Sequence, residues 1–234
     1  LAVCGTGNNG ADGVAAGRIL QGRGCNVSLL LVGNPEHDSE EMKTQKQIAR
    51  NLDLAQCTAA EYQEAPCDII LDAVFGIGLG REIGGEYRKV LEMLASLREQ
   101  YGTGVIAVDT PSGIHGTTGA IMGIALEADI TVTFGFAKTG LLLYPGKYYA
   151  GNLVVADIGF PQASLLKAGW DAKLITPDDL SWLPKRQPDG NKGTFGKVLV
   201  IAGSRGMSGA AYFSALGAYR TGAGLVKILT VPEN

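Results

Sequence analysis

Leu1-Ala2-Val3-Cys4 runs straight into Gly5-Thr6-Gly7-Asn8-Asn9-Gly10, and residues 12–23 follow with an apolar face. The order reads as buried strand, glycine-rich turn and helix. Glycines at such a turn let backbone N–H groups at a helix N-terminus approach a phosphate. Val14, Ala15, Ile19 and Leu20 recur at helical spacing, and Gly24 ends the segment. GxGxxG alone suggests a dinucleotide fingerprint. Its usual complement is an acidic residue at the end of the second strand, holding ribose hydroxyls. The nearest here is Glu36, beyond Asn34-Pro35, a mediocre match.

The same alternation repeats downstream. Residues 26–32 read as a strand stopped by Gly33, 39–51 as a charged helix, and 68–71 as a strand with a turn at 72–76. Residues 86–101 read as a helix and 105–108 as a strand ending at Asp109-Thr110-Pro111-Ser112-Gly113; 130–134 and 153–157 read as later strands. Strands alternating with helices imply parallel pairing and helices on both faces. The fold expected is α/β, a Rossmann-like three-layer sandwich around a mostly parallel sheet. Near Thr176 the composition changes: residues 177–193 read as a polar, proline-bearing linker. A strand at 196–202, a helix at 208–219 and a strand at 225–231 then open a second, incomplete α/β unit. The expected division is 1–174 and 175–234.

Composition narrows the function classes. The net charge of −3 excludes an electrostatic nucleic-acid footprint. Apolar runs such as 27–32 are far too short to span a membrane. The four cysteines form no CxxC pair, and reduced thiols in a cytoplasmic protein are the expectation. No signal peptide is visible, and a chain that begins at Leu1 inside a strand is expected to lack N-terminal residues.

In a parallel sheet the ligand sits beyond the carboxyl ends of the strands. Three polar clusters fall there: Asn8, Asn9 and Asp12; Asp72; and Asp109 with Ser112. The asparagine amides offer both carbonyl oxygens and N–H donors, although an asparagine N-cap with Asp12 complementing the helix dipole would read the same way. Asp72 suits a ligand, a cation or a cap of the following turn. Asp109 is the best general acid/base. His37 reads as exposed, and the role of His115 stays open. Lys138 suits a phosphate, a carboxylate or plain solvent. No GxSxG elbow is present, which argues against acyl-transfer hydrolysis.

Residues 8–13 (Asn-Asn-Gly-Ala-Asp-Gly), 72–76 (Asp-Ala-Val-Phe-Gly) and 109–113 (Asp-Thr-Pro-Ser-Gly), in that order, resemble the signatures of the NAD(P)H-hydrate epimerase family. Residues 131–135, 138–140, 145–146 and 157–159 continue the likeness over about 1–160. Residues 191–224 resemble the opening of an ADP-dependent NAD(P)H-hydrate dehydratase domain, which has a ribokinase-like fold. The resemblance implies epimerisation of the R and S forms of hydrated NADH or NADPH (NADHX, NADPHX). It implies substrate contacts from Asn8, Asn9, Gly10, Ala11, Asp12, Gly76, Ile77, Gly78, Leu79, Gly80, Arg81, Glu82 and Asp109, with Ala210 in the second unit. It implies a potassium ion near Asn9, Asp72 and Ser112, and Asp109 as the catalytic group. ADP or ATP would serve only the unfinished dehydratase unit, from which no activity is expected. A homo-oligomer is an open expectation. Ala11 stands where the family usually has glycine, a small change with room to crowd the substrate; His115 and Thr117 stand where it often has aspartates. Two other readings remain: an NAD(P)-dependent oxidoreductase and a non-catalytic dinucleotide-binding module.

Overall fold

β1 (Ala2–Cys4) is an inner strand of a seven-stranded sheet in the computed structural model, which describes residues 1–169 and 172–232. From β1 the chain passes through α1 (Asn8–Gly22), β2 (Ser28–Leu31), α2 (Glu40–Asn51) and β3 (Ala55–Thr58). It then crosses back to β4 (Ile69–Ala73) and continues through α3 (Gly85–Tyr101), β5 (Gly104–Val108), β6 (Ile130–Phe134), α4 (Gly146–Ala150) and β7 (Asn152–Ala156). The strand order is β3-β2-β1-β4-β5-β6-β7, and every pairing is parallel. Val3 pairs with Leu30 on one side and with Asp72 on the other. The order reverses between β1 and β4, which puts the topological switch point at their carboxyl ends.

Side chains alternate across each strand and build two cores. Ala2, Cys4, Leu29 and Ala73 pack with Ala11 and Val14 of α1 and Met42 and Ala49 of α2. Val3, Leu30, Ile70, Val105 and Ala107 pack on the other face with Val90, Leu91, Leu94 and Leu97 of α3. Each fully buried Leu contributes roughly 1.5–3 kcal/mol. The expected three-layer α/β sandwich is thus present. α1 comes unusually close to the sheet: a Cβ on Gly13 would lie 2.3 Å from Ala73 Cβ.

The helix ends follow local rules. The Ser39 hydroxyl accepts from Met42 N at 3.1 Å, with Glu40 and Glu41 in the first turn of α2. Gly102, at φ +67°, closes α3 in the left-handed conformation. Several elements differ from the sequence reading, among them short helices at Gly146–Ala150 and Gln162–Lys167 and a 3₁₀ turn at Pro177–Trp182 inside the expected linker. α1 begins at Asn8, four residues before the expected start at Asp12, because the extended Gly7 serves as N-cap and its carbonyl accepts from Ala11 N at 3.1 Å. β3, a half-exposed edge strand without apolar alternation, was not expected. Asp72, expected to open a turn, lies within β4, between Val3 and Ala107.

The chain divides into two compact units, Leu1–Ala172 and Lys173–Asn234. In the second, β8 (Lys197–Ile201) and β9 (Leu225–Leu229) pair in parallel across the helix Gly209–Arg220, a single βαβ unit. All four cysteines are free, and no helix among the described residues is long and apolar enough to cross a membrane.

Candidate active site

The carboxyl rim of β1, β4, β5 and β6 brings the candidate site residues together. At β1, Gly5 and Gly10 bring the turn back on itself, since a Cβ on Gly10 would lie 1.9 Å from Gly5 O. Gly7 caps α1 without a side-chain bond, so the first N–H groups of the helix are left for a ligand. Neither asparagine is the cap. Asn8 is exposed, while Asn9 is half-buried and lies over Gly76, where a Cβ would approach its Cγ to 3.2 Å. Asn9 Nδ2 is buried and finds no partner among the described residues.

Asp72 is fully buried. Its Oδ2 accepts from Ser112 N at 2.7 Å, and its Oδ1 accepts from Ser112 Oγ at 2.5 Å and Val74 N at 3.3 Å. Ser112 Oγ in turn accepts from Phe75 N at 2.9 Å. Burial raises the Asp72 carboxyl above its ordinary range, and these hydrogen bonds only partly oppose it. Among the described residues it has no ion-pair partner. Burial, with the charge of Asp72 behind it, pushes the Cys4 thiol up to about 12. Asp72 and Ser112 are therefore in direct contact, and Asn9 meets the set through Gly76, next to Phe75.

Asp109 follows β5 with φ +66°, a left-handed backbone that aspartate tolerates better than most residues. Its N–H donates to Val132 O at 2.8 Å. Its Oδ1 accepts from Lys138 Nζ at 2.5 Å, Phe134 N at 3.1 Å and Thr133 Oγ1 at 3.2 Å. Lys138 Nζ also donates to Phe134 O at 2.9 Å. Lys138 is thus paired within the protein, with the carboxylate of Asp109. Asp12, on the first turns of α1, faces the same space: partial burial raises its carboxyl, and the charge of Asp109 adds to this.

The loop between β4 and α3 is divided. Ile77, Gly78, Gly80, Arg81 and Glu82 are exposed, but the side chain of Leu79 is buried in the α3-side core. Leu79 is left with its backbone for any ligand. Ala11 likewise packs in the α1-side core. His115 Nδ1 accepts from Thr117 N at 3.2 Å and Thr118 N at 3.3 Å and braces its own turn. Ala210 belongs to the second unit, where it lines an open cleft with Gly203, Ser204, Met207 and Gly209. Glu36 hydrogen-bonds with Asn34 in a short 3₁₀ turn. The end of β2 is filled instead from α3: Gly33 N donates to Glu86 Oε2 at 2.9 Å, and a Cβ on Gly33 would lie 2.0 Å from Tyr87 Oη. A dehydrogenase would hold ribose there, so this filling weighs against hydride transfer.

Comparison with known proteins gives the family. Residues 1–140 match the family described as YjeF-related protein N-terminus, and residues 198–234 match the NAD(P)H-hydrate dehydratase family. The NAD(P)H-hydrate epimerase of Limosilactobacillus fermentum is 42% identical over 158 residues, covering 67% of this chain and 73% of that protein. That of Leuconostoc citreum is 39% identical over 181 residues, covering 77% of each. The bifunctional NAD(P)H-hydrate repair enzyme Nnr of Thermofilum pendens is 38% identical over 237 residues, covering 98% of this chain but 44% of that protein. The chain thus spans less than half the length of that bifunctional relative. The crystal structure of yeast ynu0 superposes with a TM-score of 0.60 at 18% identity, over 73% of this chain and 72% of that one.

Proposed function

This chain belongs to the YjeF-related NAD(P)H-hydrate epimerase family, and on that footing we propose that its first unit interconverts the R and S forms of hydrated NADH and NADPH. The observation that carries the reading is the pairing of two differently equipped carboxylates at one rim. Asp72 is buried and bonded only by neutral donors, whereas Asp109 is held by one oxygen at the mouth.

The substrate carries a hydroxyl on ring carbon 6, next to the ring nitrogen. In this reading Asp109 takes the hydroxyl proton, the carbon–oxygen double bond forms, and the bond from carbon 6 to nitrogen breaks. The electron pair goes to the nitrogen, which is conjugated with the ring carboxamide. Rotation and reclosure from the other face reverse each step, and Asp109 returns the proton to the hydroxyl. Loss of the hydroxyl as water and its return uses the same group in the opposite sense. General acid–base help of this kind contributes roughly 10²–10⁴-fold. The free N–H groups at the start of α1 suit the pyrophosphate. Asn8, Asp12 and the exposed part of the 76–82 loop line the approach.

Asn9, Asp72 and Ser112 fit a cation. Among the described residues the buried carboxylate has no counter-charge and Asn9 Nδ2 no partner, and the amide's oxygen and nitrogen exchange by a simple flip. One carboxylate among neutral oxygens suits a hard ion of low charge, and potassium is our assignment. Bound there, it would supply fixed positive charge at the substrate end of α1. The second unit, matched over residues 198–234, is proposed to belong to the dehydratase function of the bifunctional relatives.

The test is chromatographic. R and S NADHX are followed with and without potassium against a protein-free control. Cation-dependent acceleration is expected. An unchanged ratio from folded protein would leave a binding module.

A further inference from the structure

We propose that Lys138 is the positioning residue for Asp109: it clamps Oδ1 and so presents Oδ2 as the oxygen that exchanges the proton with substrate. The inference rests on the epimerase reading above. All three donors to the Asp109 carboxylate converge on Oδ1: Lys138 Nζ, Phe134 N and Thr133 Oγ1. Among the described residues none reaches Oδ2. A carboxylate has lone pairs on both oxygens, so this one-sided pattern singles out an oxygen. The clamp is charge-assisted, and such hydrogen bonds are about twice as strong as neutral ones. It is also sheltered, with the Lys138 and Asp109 side chains 18% and 10% exposed.

The lysine is itself fixed. Its second bond goes to Phe134 O, and the next turn, Thr139–Leu141, is locked by backbone. Gly140 N donates to Gly116 O at 2.8 Å, and a Cβ on Gly140 would lie 2.3 Å from His115 O. The loop after β5 and the loop after β6 therefore meet without side chains between them, which sets where Lys138 starts. Asp109 meanwhile sits in a left-handed backbone conformation. Strained backbones of that kind persist where surrounding contacts over-determine them, and here the clamp is one of those contacts. Two of the three ammonium hydrogens are used within the protein, so Lys138 works chiefly on Asp109.

The experiment compares Lys138→Met, Lys138→Arg and wild type by steady-state epimerisation of NADPHX with saturating potassium. Thermal midpoints are measured in parallel. Lys138→Met is expected to lower kcat about 10–100-fold while KM moves less than about threefold, in protein whose midpoint stays well above the assay temperature, given that a misplaced catalytic group costs on this order. Lys138→Arg restores most of kcat. Unchanged kcat overturns the inference. So does a raised KM at constant kcat, which would make Lys138 a substrate ligand, or a loss of kcat accounted for by the fraction of protein unfolded at the assay temperature. If wild type itself fails to epimerise, the functional reading falls. The clamp is then judged by the carboxyl ¹³C resonance of Asp109, assigned by its loss in Asp109→Asn. A shift in Lys138→Met upholds the clamp, and an unmoved signal overturns it.

Discussion

Replacing Asp72 with Asn gives a sharp test of the cation site. The carboxylate accepts two short bonds from Ser112 and a long one from Val74 N. An Asn placed with its NH₂ toward Ser112 Oγ keeps the bond from Ser112 N and reverses the other. It loses the weak contact with Val74 and the charge assistance on the two short bonds, about 1 kcal/mol each. Against this stands relief from burying a charge with no counter-ion, a penalty of several kcal/mol. In potassium-free buffer the variant is therefore expected to be at least as stable as wild type. Potassium reverses the order. A ligand at 100 times its Kd stabilises by about 2.7 kcal/mol, which for a unit of this size raises the midpoint by roughly 5–10 °C. The assay is scanning fluorimetry in potassium chloride against tetramethylammonium chloride at equal ionic strength. Wild type should respond and Asp72→Asn should not. Equal responses, or a variant that melts well below wild type without potassium, would refute the reasoning.

Asp109→Asn should lower epimerisation roughly 10²–10⁴-fold while leaving the Kd for NADPHX near wild type, as fluorescence titration would report. Gly13→Ala places a methyl 2.3 Å from Ala73 Cβ, and such overpacking is expected to cost about 1–3 kcal/mol, read as a lower urea midpoint. The Asp129 carboxyl is held below its ordinary range chiefly by Arg98, whose Nη1 and Nη2 donate at 2.6 and 2.8 Å. A lowered carboxyl contributes stability that is complete above about pH 4 and lost as pH falls through the folded value. The stability gap between wild type and Asp129→Asn should therefore close on acidification; a gap that is constant or widens toward low pH would show that the pair plays no such part.

The sheet was legible because the apolar runs at 1–4, 69–71 and 105–108 are each followed by glycine-bearing turns, which fixes strand ends and connection type together. The edge strand β3 was not, since Ala55–Thr58 is short, half-exposed and without alternation. The start of α1 was hidden because Asn and Gly are poor helix formers, and what holds them is the close approach of the helix to β1 and β4. Asp72 read as a strand end because a carboxylate inside a central strand needs local donors, and these come from Ser112, forty residues away. Lys138 was visible only as a lysine on the right rim. Its partner lies twenty-nine residues earlier, a pairing that only the fold creates. Leu79 and Ala11 show the opposite limit: a motif marks a backbone position without saying which way the side chain turns.

The strand order also carries a timetable. Val3 finds one neighbour in Leu30 but the other only in Asp72, across the whole α1–β3 excursion. The switch point, and with it the rim that holds Asn9 against Gly76, comes into being only once the chain has closed its long-range parallel pairings. Such non-local closure is intrinsically slow and leaves strand edges open meanwhile. The same crossover that creates the cleft should make it the last part of the unit to mature during folding.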